Sequence, residues 1–287
     1  MTVIRGARER ARSEITEAIK EEARKQLAAE GAAKLSLRAV ARALGMASSA
    51  LYRYFPSRDD LLTALIVDAY DALGAAAEHA RDAHPTSAAE PPAAPRRTEG
   101  QPESQPEGQP ESRTESRRER LPAGTGHSAA RARAAERATA QWCAICTAVR
   151  DWALAHPHEY ALIYGSPVPG YHAPRTTTEP AARVGLTLIG VARDAYAAGL
   201  LKEPAEPLPD AVVADALTLG AELGVELPPA VVARLVGAWA QLFGLLSFEL
   251  FGQFNRVVEA RSAFFEQAVL QLASSVGLTG AGPSTSA

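Results

Sequence analysis

The sequence predicts an all-α protein, with a small three-helix head carrying a helix-turn-helix and a larger C-terminal helical bundle that dimerises. Three observations carry this reading. Apolar residues recur at helical spacing along the chain, beginning with Ile15, Ile19, Ala23 and Leu27. No stretch alternates apolar and polar residues with a period of two, so no strand is expected. Residues 36–58 hold two short helical segments broken by Gly45, each too short to stand without neighbours.

Taken in order, the first helix presents its four-residue stripe to a core, and Gly31 is placed to end it, since glycine accepts the left-handed conformation of a helix terminus. Ser36 can cap the next helix, which turns Val40, Ala41 and Leu44 inward and stops at Gly45. A second short segment, Ser48 to Phe55, follows almost at once. Pro56 to Asp60 then opens a longer helix, with Ser57 and Asp60 spaced as a capping box and Leu61, Leu62, Leu65, Ile66 and Leu73 on its buried face.

The composition changes abruptly over residues 84–128. Three near-identical tetrapeptides, QPES, QPEG and QPES, fill 101–112, and Leu121 is the one large apolar residue of the stretch. Such a segment cannot bury enough apolar surface to offset its ordering entropy, so it is expected to be a disordered insert. Helices resume over 129–155, ended by His156-Pro157 because the residue before proline resists the α region. Further helices are expected over 158–164, 180–201, 210–223, 228–254 and 256–276, with a Gly/Pro-rich loop at 165–174 and a frayed tail from Gly277. The expected organisation is therefore a small helical head at 8–58, a connecting helix at 59–83, the insert at 84–128, and a larger helical domain at 129–276.

Composition narrows the function. The chain has 287 residues, 30 Lys+Arg against 33 Asp+Glu, and two cysteines. Two thiols make no disulfide framework, and MTVIRGARERAR has no apolar run behind it to act as a secretory signal, so a cytoplasmic protein is expected. The apolar run from Leu235 to Phe248 contains Gln241 and looks too short to span a bilayer, so no membrane partner is expected. Charge is divided unevenly: residues 1–60 hold 12 Lys/Arg and 8 Asp/Glu, and the rest holds 18 and 25. A basic head on an acidic body points to a polyanion at one end. Cys143 and Cys146 form a CxxC with no second pair for zinc and no βαβ unit for thioredoxin-like chemistry, so they read as inert core thiols. P-loop, GxGxxG, HExxH, EF-hand and GxSxG patterns are all absent. No enzyme, metal or cofactor is expected.

The segment LSLRAVARALGMASSALYRYFPSR (35–58) carries the chemistry. Ala41 is small where two helices cross, Gly45 takes the tight turn, and Leu37, Val40, Leu44, Leu51 and Phe55 wedge the pair onto its neighbours. That leaves Ser48, Ser49 and Tyr52 facing outward, as the N-terminal half of a recognition helix faces base edges in a major groove about 12 Å wide. This segment resembles the TetR family of bacterial transcriptional regulators. Gly45, then Leu51-Tyr52-Arg53-Tyr54-Phe55 and Arg58 follow the family's Leu-Tyr-x-His-Phe-x-x-Lys pattern, with Ser36, Arg38 and Ala41 leading. Tyr54 stands for the usual His and Arg58 for Lys, and Ala47 stands where a capping Ser is common, leaving Ser48 to cap one position later. The resemblance implies that Ser36, Tyr54 and Arg58 anchor the DNA backbone. It also implies that Arg38, Ser48, Ser49 and Tyr52 approach bases or flanking phosphates. The competing readings are a half-buried packing role for Tyr52 and a solvated helix arginine at Arg38.

One such head buries little groove, so two are needed, about 34–36 Å apart on a palindromic double-stranded operator. Leu235, Trp239, Leu242, Leu246, Leu250 and Phe254 on one long helix, and Val257, Phe264, Phe265, Val269 and Leu272 on the next, are expected to form a homodimer interface of two hairpins. The stretch from Trp152 to Tyr171 resembles the WHG-type C-terminal domain of the same family. It implies a pocket for a small, largely apolar effector, with Trp152, Tyr160, Tyr164, Tyr171, Tyr196 and Trp239 as candidate lining residues; plain core packing accounts for the same aromatics. The functional expectation is a repressor released from its operator by that effector. The rivals are a helical enzyme or carrier using the aromatic-rich domain and a scaffold working through the insert.

Overall fold

The structure, a computed structural model, describes residues 2–85, 124–203 and 206–279. Of the expected insert, 86–123 lies outside the described residues. Among the described residues ten α-helices follow one another, α1 (Thr2–Glu30), α2 (Leu37–Ala43), α3 (Ser48–Leu51), α4 (Arg58–Ala83), α5 (Gly124–Ala155), α6 (Pro157–Tyr164), α7 (Thr178–Ala197), α8 (Asp210–Leu223), α9 (Pro229–Leu250) and α10 (Arg261–Val276). Among the described residues there is no strand, only an isolated bridge between Leu201 and Leu278.

The head closes around Ile19, Ala23 and Leu27 of α1, Leu37, Val40 and Ala41 of α2, Leu51 and Phe55, and Leu61, Leu62 and Leu65 of α4. Both predicted glycine stops take positive φ, +81° at Gly31 and +65° at Gly45. At Gly45 the chain makes a Schellman turn: Met46 N donates to Ala41 O at 2.8 Å and Gly45 N to Arg42 O at 3.1 Å. Ser36 Oγ accepts from Ala39 N, and Ser57 Oγ accepts from Asp60 N while donating to the Asp60 carboxylate. The second of these is a capping box with its acidic member bound to the hydroxyl.

The body packs around α5, which carries Trp142, Ile145, Cys146, Val149 and Ala153 through a core completed by α4, α7, α9 and α10. α4 belongs to both cores: Leu61, Leu62 and Leu65 lie in the head, Ala69, Leu73 and Ala77 in the body. It is the covalent and packing link between them. His156 ends α5, its ring Nδ1 lying 2.9 Å from Trp152 O.

Several expected boundaries move. α5 begins at Gly124, five residues before the expected start at Ala129, so residues 124–128 of the expected insert are helical. α9 and α10 are separated by a tight connection over 251–260 in which Gly252 (φ +83°) and Arg256 (φ +63°) are left-handed, so the helices expected to reach 254 and start at 256 are both shorter. α9 is nonetheless 22 residues long with a mean hydropathy of 1.6 in its most apolar window, long and apolar enough to cross a membrane by length and composition. The Leu235–Phe248 run alone understates it, because Pro229–Arg234 and Glu249–Leu250 prolong the same helix. Here α9 packs on α5, α6, α7, α8 and α10.

The hairpin faces proposed for dimerisation are divided. Leu235, Leu242 and Leu246 of α9 and Phe265, Val269 and Leu272 of α10 are buried in the protomer's own core. Trp239, Phe264 and Val257 remain exposed. A helix that is apolar nearly all round offers no rule in its sequence for which stripe turns inward.

Candidate nucleic-acid interface and cavities

The turn at Gly45 sets α3 across α2, and burial of Leu51 and Phe55 turns the opposite side of the segment to solvent. Arg38, Arg42, Ser48, Ser49, Tyr52 and Arg53 are all exposed there, Tyr52 at 43%. Ser36 uses its oxygen as the α2 cap, which leaves its O–H free to donate to a phosphate. Ala47 occupies the α3 cap position without a side-chain hydrogen bond, so Ser48 does not take over capping and its hydroxyl stays outward. Tyr54 is half buried, packed on the head core with the Arg12 guanidinium 5.9 Å over its ring.

Arg58 departs from the expectation. Its Nε donates to Leu35 O at 3.2 Å and its Nη2 to Ala32 O and Ala33 O at 2.8 and 3.3 Å. Nη1 lies 3.7 Å from Asp59. The guanidinium is thus a clamp on the turn between α1 and α2, meeting the Ala33 and Leu35 carbonyls and sharing the Ala32 carbonyl with Leu35 N. The sequence pattern places a cation at this point but does not reveal the backbone carbonyls that meet it in the folded head.

The head is also tied to the body by charge. Arg24 of α1 bonds Asp68 of α4 at 2.7 Å and Glu159 of α6 at 3.0 Å, and Lys20 reaches Asp68 at 2.8 Å. Tyr171 in the 165–177 loop shares a 2.9 Å hydrogen bond with Thr63 of α4. A cleft of about 790 Å³ lies between the two parts, bordered by Gly31 and Ala32 on the head and Tyr164, Ser166 and Phe251 on the body.

A second cavity, of about 310 Å³, lies wholly within the body. α7 contributes Ala182, Gly185, Leu186 and Ile189, α8 Leu219 and Leu223, and α9 Val232, Val236 and Trp239. Every lining residue is apolar. Of the six aromatic candidates, the structure brings only Trp239 to this wall. Trp152 is core and stacks on His156, with ring centres 4.9 Å apart. Tyr160 is fully buried, donates to Phe243 O at 3.1 Å and shares a hydrogen bond with Ser247 Oγ at 2.9 Å; burial pushes its phenol up to about 12. Tyr164 stacks on Phe243 at 4.1 Å and borders the head–body cleft, and burial raises its phenol too. Tyr171 braces the loop, and Tyr196 is exposed at the end of α7. The aromatics are largely packing residues, whereas the cavity is walled by small and aliphatic side chains whose spacing reads as ordinary core. Cys146 is buried and Cys143 partly so, and burial raises both thiols, Cys143 to about 11, as an inert pair requires.

Two family models cover this architecture. Residues 19–65 match the bacterial regulatory proteins of the tetR family, and residues 142–272 match a tetracyclin repressor-like C-terminal domain. The HTH-type transcriptional regulators Mb1846 of Mycobacterium bovis and Rv1816 of Mycobacterium tuberculosis are each 35% identical over 254 residues, covering 87% of this chain and 86% of theirs. The chain belongs to the TetR family. Among solved structures, a regulatory protein, SCO4313, aligns at a TM-score of 0.62 with 29% identity, over 93% of this chain and 98% of that one. A protein of unknown function from Rhodococcus sp. RHA1 shares the fold, at a TM-score of 0.54 and 18% identity, over 91% of this chain and 92% of that one. This TetR-family chain is therefore a DNA-binding transcriptional regulator, and the exposed surface around Ser48, Ser49 and Tyr52 lies on the helix-turn-helix of its head.

Proposed function

We propose that this regulator is a cytoplasmic repressor that binds a palindromic operator as a homodimer and leaves it when a small, uncharged, apolar molecule fills the α7–α8–α9 cavity. One observation carries the reading. α7 walls the cavity on one side and packs on α4 on the other, and the first turns of α4 are part of the head core. Anything that displaces α7 therefore acts on the element that aims the recognition segment. Ser48, Ser49, Tyr52 and Arg38 are the residues assigned to the groove and its flanks. Ser36 is assigned to phosphate, with the half-buried Tyr54 at the edge of that surface. Arg58 holds the turn that presents them.

The ligand class follows from the lining. A charged group placed among alanine, leucine, isoleucine and valine side chains would lose its hydration with no partner to replace it. An apolar guest gains roughly 25 cal/mol for each Å² it hides from water. Dimerisation is assigned to the open side of α9, where Phe248 is exposed and a Cβ added at Gly237 or Gly244 would meet nothing. Small residues there let a second helix approach closely.

The test is a gel-shift titration on duplexes selected from random DNA by the purified protein, with size exclusion in parallel. A dimer in solution, a palindromic consensus, and release by medium-chain alcohols or hydrocarbons but not by their carboxylates support the proposal. A monomer that binds non-palindromic sites, or release by charged compounds alone, overturns it.

A further inference from the structure

α4 and α7 are joined by two matching clamps. Arg183 of α7 lies across Gly74 of α4, where an added Cβ would come within 2.7 Å of the Arg183 side chain. Its guanidinium forks onto Glu78 at 2.8 and 2.6 Å, and its Nη1 also reaches the Asp71 carboxylate at 2.7 Å and the Asp71 carbonyl at 3.0 Å. The second clamp exchanges the roles of the helices. Arg81 of α4 lies with its guanidinium over Gly190 of α7, where an added Cβ would displace it, and its Nη2 bonds Asp194 at 2.7 Å. Each helix thus offers a glycine followed four residues later by an acid, and each receives an arginine from the other.

The spacing matches as well. Gly74 and Arg81 are seven residues apart on α4, and Arg183 and Gly190 are seven apart on α7. The helices therefore run parallel, pinned at two points about 10.5 Å apart, which is two helical turns. One pin would permit rotation about itself; two fix both slide and rotation. The glycines let the helix backbones and arginine stems approach, and the forked guanidinium resists sliding more than a point charge would. The other face of the same stretch of α7, at Ala182, Gly185, Leu186 and Ile189, is the cavity wall.

We propose that Arg183 and Arg81 are the coupling residues of this regulator, making α4 and α7 one rigid unit so that a shift of the cavity wall becomes a shift of the recognition segment. This rests on the reading of the cavity as the effector site. Arg183 and Arg81 are positioning residues; neither touches ligand or DNA. With the clamps gone, α7 moves against α4 and the displacement is absorbed at their interface. A binding event is transmitted when both sites bias one such element.

The experiment replaces the unidentified effector with a built-in occupant. A Cβ at Gly185 would meet Trp239 Cδ1 at 3.9 Å, an ordinary contact, and Gly185 lines the cavity, so the rest of the side chain of Gly185→Leu must occupy cavity space. Operator affinity is measured for the full-length dimer with and without this change, in the parent and in Arg183→Gln and Glu78→Gln backgrounds. The same comparison with saturating N-phenyl-1-naphthylamine, an uncharged probe, guards against a filler that does not fold. In the parent, filling should weaken operator binding by about fivefold or more, the lower end of typical allosteric coupling. In either clamp variant the ratio should fall below about twofold. If the ratio persists while melting temperature and both affinities fall together, the clamps are merely structural and the proposal is wrong, with the effector cavity left standing. If neither filler nor probe alters binding in the parent, the effector reading fails and the coupling proposal falls with it.

Discussion

Replacing Arg58 by alanine separates a structural clamp from a phosphate anchor. The change removes three hydrogen bonds to the carbonyls of Ala32, Ala33 and Leu35, which otherwise hold the turn entering α2. A hydrogen bond to a charged donor contributes about 1.5–3 kcal/mol, but the three share one side chain that is 29% exposed and its freed carbonyls can meet water. The net loss should therefore be about 2 kcal/mol. For a chain of this size that corresponds to a fall of about 4–8 °C in Tm if the molecule unfolds as one unit. Hydrogen exchange should speed up over residues 32–55 before the body is affected. Gel shifts at several salt concentrations supply the second reading. A clamp weakens binding by depopulating the ordered head and leaves the salt slope unchanged. An anchor instead lowers the slope by about 0.9 and leaves Tm alone. A reduced slope with unaltered Tm and exchange would refute the clamp, whatever its hydrogen bonds.

Three further outcomes follow from other parts of the molecule. Ser49→Ala, at an exposed residue, should change the preferred operator bases in a selection experiment while leaving the salt slope and Tm unchanged. Tyr160→Phe removes a buried hydroxyl bonded to Phe243 O and Ser247 and should cost about 1–2 kcal/mol in urea unfolding, and in the parent an alkaline absorbance titration should find this phenol silent until about pH 12. The Arg183 hydrogen bonds hold the Glu78 carboxyl below its ordinary range, so the folded state binds its proton less tightly than the unfolded chain does. Its contribution is present above the ordinary carboxylate range and is lost as pH falls through that range and below; melting curves of Glu78→Gln should accordingly show a shallower acid decline than the parent, and an identical decline would rule the linkage out.

The helical class, the head and the order of its parts were legible in the linear chain because each rests on short-range chemistry. Apolar spacing at Ile19, Ala23 and Leu27 selects a helix face locally, Ser36 and Ser57 cap within three residues, and Gly31 and Gly45 stop helices through their own φ angles. The outward set of Arg38, Ser48, Ser49 and Tyr52 follows from the same periodicity once Leu51 and Phe55 are assigned inward. The tertiary structure decided whatever depended on which of several equivalent faces meets which neighbour. α9 is apolar on every side, so packing alone determined that Leu235 and Leu242 turn inward while Val236 and Phe248 stay exposed. Packing likewise sent Arg58 to carbonyls 23–26 residues back and left a cavity among aliphatic residues instead of the aromatics. It also set Arg183 and Arg81 against glycines 109 residues distant in sequence. Hydrophobic burial has no direction of its own, and a charge attracts any suitable partner within reach. Both become specific only when the folded chain fixes what lies beside them.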